Sequence, residues 1–104
     1  MPEFCSPFSV KHSERKLSGD ELVRAVRFMV AAEYEAVQLY KQTAESIDNP
    51  LAKDVLEDIA EEELVHAGEF LRLLHALAPD EARSYAAGAK EVEEMMEKLQ
   101  KTGK

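Results

Sequence analysis

Four prolines, at positions 2, 7, 50 and 79, leave two long stretches in which nothing interrupts a helix. Proline lacks the amide that an inner helical residue donates, and its ring strikes the preceding turn, so helices end before it or begin on it. Ser18 followed three residues later by Glu21 forms a capping box, each side chain accepting from a backbone amide that the helix leaves orphaned. The helix it opens can run through DELVRAVRFMVAAEYEAVQLYKQTAESI to Asp48-Asn49-Pro50. There the residue before proline is pushed out of the helical region, while Asn49 caps a successor whose first turn accepts Pro50. The second helix is LAKDVLEDIAEEELVHAGEFLRLLHAL, stopping near Ala78-Pro79. A third segment, DEARSYAAGAKEVEEMMEKLQ, is helical in composition, weakened or bent at Gly88. No strand pattern or repeat competes with this reading. The expected fold is all-α, two long antiparallel helices plus a shorter C-terminal helix, in a single domain over residues 18–98. An irregular arm over 1–17, with Phe4 and Phe8 available for docking, precedes it, and a frayed tail over 99–104 follows.

Composition narrows the function classes. Acidic residues outnumber basic ones 21 to 13, a formal charge of -8, which opposes binding to the phosphates of nucleic acid. The longest uncharged run is seven residues, far short of the ~20 that a membrane span needs, and the basic start and apolar core of a signal peptide are not expected in such a sequence. A soluble, cytoplasmic protein is expected. The single cysteine, Cys5, cannot supply a CxxC pair, so any metal must be held by Glu, Asp and His.

A helical apolar stripe on the first helix takes Leu22, Val26, Val30, Val37, Tyr40 and Ala44, and Glu33 stands at its centre. On the second helix the stripe is Val55, Ile59, Phe70, Leu73 and Leu77, with Glu63 and His66 at its centre. Any one of these three could be a boundary residue whose stem packs while its head reaches water, and a lone His is more often a satisfied core residue. Three together are harder to explain away, because burying them costs several kcal/mol each unless they neutralise one another or hold a cation. Di-iron carboxylate bundles use one Glu from each of two helices and a Glu-x-x-His from each of the other two. This chain has half of that set, Glu33 and the Glu63-Leu64-Val65-His66 run. Two chains would complete a four-helix bundle and its site. Two helices of ~27 residues, each ~40 Å long, also have too little core of their own, which again points to a partner. Hard oxygen ligands with imidazole suit iron or manganese, and zinc would also bind.

The stretch AEYEAVQLYKQTAE, 32 to 45, and VLEDIAEEELVHAGEFLRLLHALAPDE, 55 to 81, resemble the encapsulated ferritins, ferritin-like iron oxidases housed inside encapsulin nanocompartments. The similarity spans roughly residues 20 to 98. It implies a ferroxidase centre formed between paired chains, a ring of ten chains, and an encapsulin shell protein as partner. By this resemblance Glu33, Glu63 and His66 are the iron ligands and Tyr40 is the tyrosine beside the centre. Glu35 would belong to an outer iron-uptake site, weakened or absent here because Ala32 stands where members carry an acidic residue. The closing EEMMEKLQKTGK carries no apolar and basic shell-docking peptide, so another signal, fusion to the shell or work outside it is open.

Other residues carry less. His12 and His75 read as exposed, Glu61 and Glu62 as helix-face charges with Glu62 near an interface, and Tyr34 as packing. Met95 and Met96 read as contacts to a neighbouring subunit. Two other readings stay open beside the ferroxidase: a rubrerythrin-like peroxidase, against which the missing cysteine pairs count, and a metal-free helical interaction module whose polar network fixes a dimer's register.

Overall fold

The computed structural model describes residues 16–103, so the arm expected over 1–17, with Phe4, Cys5, Phe8 and His12, lies outside the described residues but for Lys16 and Leu17. Three helices follow in order: α1 over Gly19–Glu45, α2 over Pro50–Leu77 and α3 over Pro79–Lys101. No strand occurs among the described residues. The all-α expectation holds.

Local chemistry sets the boundaries. The Ser18 hydroxyl accepts from the Glu21 amide at 3.2 Å, and the Glu21 carboxylate accepts from the Ser18 amide at 2.9 Å. Asn49 Oδ1 accepts from the Ala52 amide at 3.0 Å, with Pro50 in the first turn. Ala78 alone separates α2 from α3, its amide still donating to the Leu74 carbonyl as Pro79 starts the next helix. α3 passes Gly88 as continuous helix and extends to Lys101. No end-capping side chain bonds its start, and none of its residues is buried.

α1 and α2 pack as a hairpin. Its buried seam is Val26, Val30, Val37 and Ala44 against Ala60, Ala67 and Leu74. Val30, Val37 and Ala44, like Ala60, Ala67 and Leu74, recur every seven residues, the spacing that keeps one line of a helix against its neighbour. The first helix thus packs along the face its sequence suggests. The second does not: Val55, Leu73 and Leu77 of the expected stripe are exposed, and the seam lies roughly a quarter turn away at 100° per residue. The cause is small size. Ala60 and Ala67 let the helices approach closely, and the larger apolar groups are left on a flank beside the seam.

That flank carries Leu22 and Met29 of α1 with Val55, Leu73 and Leu77 of α2, all exposed. The accessible surface, 8534 Å², exceeds the roughly 5,900 Å² expected of a compact chain of this mass. The radius of gyration, 18.5 Å, likewise exceeds the ~13 Å of a compact hundred-residue domain. No helix among the described residues is long and apolar enough to cross a membrane.

The base of α3 is tied back to the hairpin. Arg27 of α1 donates through Nε to both oxygens of Glu81 at 3.1 and 3.2 Å and pairs with it through Nη2, and the Tyr85 hydroxyl also donates to Glu81. His75 lies against the Tyr85 ring at 5.6 Å between centroids. The expectation that His75 is solvent-exposed is therefore corrected: the turn at Ala78 folds α3 back so that an aromatic ring half covers it.

Candidate metal centre

The seam of a seven-residue repeat has two lines per helix. On α1 the second line is Val26, Glu33 and Tyr40; on α2 it is Leu56, Glu63 and Phe70. In both helices the middle apolar group of that line is replaced by a carboxylate, at facing heights in the hairpin. The Glu33 and Glu63 side chains keep only 17% and 18% of their surface exposed. His66, one turn beyond Glu63, keeps 47% and leans over both from the flank.

His66 Nδ1 stands 3.5 Å from Glu63 Oε2 and 3.8 Å from Glu33 Oε2. These separations exceed good N–H···O lengths. Glu33 Oε2 is buried and accepts no hydrogen bond. One ligand atom from each of Glu33, Glu63 and His66 fits within 4.8 Å of the others. Ligands of one ion bound at 2.0–2.2 Å stand about 3 to 3.5 Å apart, so modest rotation of these side chains would bring all three onto a shared cation. The donor set fits: two hard carboxylates and an imidazole, with one buried oxygen left without a hydrogen-bond donor. Leaving a buried acceptor unsatisfied costs ~1–3 kcal/mol, more for a charged group, and a cation removes that penalty.

The structure thus brings Glu33, Glu63 and His66 together. Tyr40 is half-buried on the Glu33 line, about 10 Å further along the axis at 1.5 Å per residue. Glu35 is half-buried on another face of α1 and stands outside the three-residue group. A cavity of about 340 Å³ opens beside the group, lined by Glu33, His66, Glu69 and Phe70. Sequence reasoning overlooked Glu69, although its position one turn after His66 was a usable signal. It also overlooked the Arg27–Glu81–Tyr85 cluster, whose members lie too far apart in sequence to announce themselves. There the Arg27 guanidinium, and next the Tyr85 hydroxyl, hold the Glu81 carboxyl at about 2, well below its ordinary value. The same carboxylate raises the Arg27 and Tyr85 values, in each case through its hydrogen bond first.

Comparison with known proteins adds to this geometry. The Rubrerythrin family matches residues 25–104 of the chain. The ferritin-like-encapsulin shell fusion protein of Pyrococcus furiosus is 33% identical over 82 residues, which make up 79% of this chain and 24% of that protein. The encapsulin nanocompartment cargo protein EncC of Myxococcus xanthus is 38% identical over 68 residues, 65% of this chain and 52% of that protein. The chain therefore spans about a quarter and about half of these two relatives. Among solved structures, the encapsulated ferritin domain from Pyrococcus furiosus matches with a TM-score of 0.79 at 29% identity, covering 88% of this chain and 94% of that one.

Proposed function

The chain belongs to the rubrerythrin family of ferritin-like domains, and from that premise we propose that it is a ferroxidase, oxidising Fe(II) to Fe(III) at a di-iron centre formed between two subunits. The observation that carries the reading is the buried, donorless Glu33 Oε2 beside Glu63 and His66. One hairpin offers two carboxylates and one imidazole, enough for an ion but too few for a pair. Two hairpins joined along their exposed flanks offer four carboxylates and two imidazoles, and four negative charges balance two Fe(II) ions. The flank bearing Leu22, Met29, Val55 and Leu73 is the apolar surface that such pairing would cover.

Each residue then has a part. Glu33 and Glu63 fix the irons and neutralise them in a partly dry site, while His66 supplies the neutral ligand on the open side. Val26 and Tyr40 continue the line of Glu33 one heptad to either side, about 10 Å away along the axis, and Tyr40 is the tyrosine that the family resemblance puts beside the centre. Two Fe(II) ions give two electrons to one O₂, which takes up two protons and leaves as H₂O₂. Peroxide is the second oxidant to consider, since the family matched is rubrerythrin. Manganese or zinc could occupy the same ligands. The names of the two relatives, an encapsulin shell fusion and an encapsulin cargo protein, support an encapsulin shell as the recipient of the iron, in the cytoplasm inside a nanocompartment, and the resemblance to encapsulated ferritins adds a ring of ten chains.

The test is metal analysis and sizing of protein purified with supplied Fe(II). About two irons per two chains are expected, with Glu63→Ala and His66→Ala losing iron and weakening the assembly, because metal that binds only the assembled state stabilises it. Iron-free variants that assemble normally and oxidise Fe(II) at the wild-type rate would show the assignment to be wrong. Normal assembly of wild type without any bound metal would favour the interaction module.

A further inference from the structure

The 340 Å³ cavity beside the candidate centre contains a carboxylate that the centre does not use. Glu69 follows His66 by one helical turn, which places both on neighbouring parts of the α2 surface. Unlike Glu33, it is exposed in the single hairpin, and at 100° per residue it stands further round α2 from the Ala60–Ala67–Leu74 seam than His66 does, on the outer side of the cavity. The cavity wall therefore runs from a hydrated carboxylate, Glu69, to a desolvated one, Glu33, whose Oε2 lacks any donor. The remaining wall, Phe70, offers a cation no oxygen, and neither Ala32 nor Glu35 lines the cavity.

A divalent cation that enters a partly desolvated pocket loses hydration that the pocket's ligands must replace, so replacing the shell in stages is easier than stripping it at once. An exposed carboxylate at the mouth eases this by exchanging part of the shell first, and its charge raises the local cation concentration. We propose that Glu69 is the uptake carboxylate of the centre, capturing Fe(II) at the cavity mouth and handing it to Glu33 and His66. The step is ligand exchange only: carboxylate oxygens replace bound waters and no electron moves. The proposal rests on the ferroxidase reading and adds to it the route by which the substrate arrives.

Co(II), which binds such ligands without being oxidised by the site, separates arrival from chemistry. Its binding to the intact assembly is followed by stopped-flow absorbance, and its stoichiometry at saturation by titration. Glu69→Gln, nearly isosteric at an exposed position, should slow association roughly three- to tenfold with saturation stoichiometry unchanged, and Glu69→Lys should slow it further. Glu93→Gln on α3 removes the same charge away from the cavity and should leave the rate as in wild type. An unchanged rate in Glu69→Gln overturns the proposal, as does equal slowing in Glu93→Gln, which would trace the effect to overall charge. A lower stoichiometry in Glu69→Gln also overturns it, by making Glu69 a ligand. Failure of wild type to bind Co(II) would instead remove the metal centre itself, and the proposal with it.

Discussion

At the scale of single residues, the candidate centre sets stability against the proposed function. Glu33 occupies a seam position where Val30 and Val37 show what the packing prefers, and one of its oxygens is buried without a donor. Glu33→Leu should therefore stabilise the metal-chelated protein by ~1–2 kcal/mol, read as a higher thermal midpoint at fixed concentration. The same change should abolish the further rise that metal gives wild type. Scanning calorimetry of both proteins, with chelator and with Fe(II) under anaerobic conditions, measures both effects. A chelated Glu33→Leu protein less stable than wild type would mean that Glu33 is already satisfied. Sequence reasoning reached this triad because each member breaks an apolar pattern. It did not reach Glu69, because an exposed Glu on a charged helix breaks none.

At the scale of helices, what the sequence made legible and what it hid have one physical origin. Proline geometry and side-chain caps act over three or four residues, so Ser18-Glu21, Asn49-Pro50 and Ala78-Pro79 announced the ends of α1, α2 and α3. Packing direction is a tertiary choice. A stripe drawn through large apolar groups found the α1 seam but missed that of α2, where Ala60 and Ala67 decide and bulkier residues stand aside. The Arg27–Glu81 pair, which joins residues 54 positions apart, was hidden for the same reason. It has a pH signature. The folded Glu81 value, about 2, lies below the ordinary 4.5, so its contribution is full above that ordinary value and is lost as pH falls through the folded one. Glu81→Gln should lower the thermal midpoint at neutral pH, and the difference from wild type should shrink toward pH ~2. A constant difference across that range would show that the carboxylate charge is not what ties α3 down.

For the whole molecule, the issue is whether iron is only oxidised or also kept. A soluble Fe(III) mineral needs a closed cavity, which ferritin-like units build when each contains a full bundle and has further faces to close a shell. This chain provides a two-helix hairpin and an outlying third helix that buries none of its residues. The isolated protein should therefore convert Fe(II) to Fe(III) without retaining a mineral. Loading beyond a few irons per chain should end in precipitate unless a shell receives the product. The charge of -8 should draw Fe(II) toward the assembly, an effect that fades as salt is added. Centrifugation and electron microscopy after loading decide the matter; soluble particles with dense cores of hundreds of irons would show storage without help.

The Ala78 junction bears on how such an assembly could vary. Because a single residue joins α2 to α3, its two torsions, φ -133° and ψ 73°, aim the whole of a 23-residue rod. That rod is about 34 Å long, so a turn of ~10° at its base carries its tip ~6 Å sideways. Met95, Met96 and Leu99 ride near that tip, fully outside the hairpin. The Arg27–Glu81–Tyr85 cluster grips the rod within two turns of the pivot, where the leverage against it is greatest. Substitutions at this elbow should thus change how copies of a proposed assembly are spaced around one another while leaving Glu33, Glu63 and His66 of the candidate centre in place.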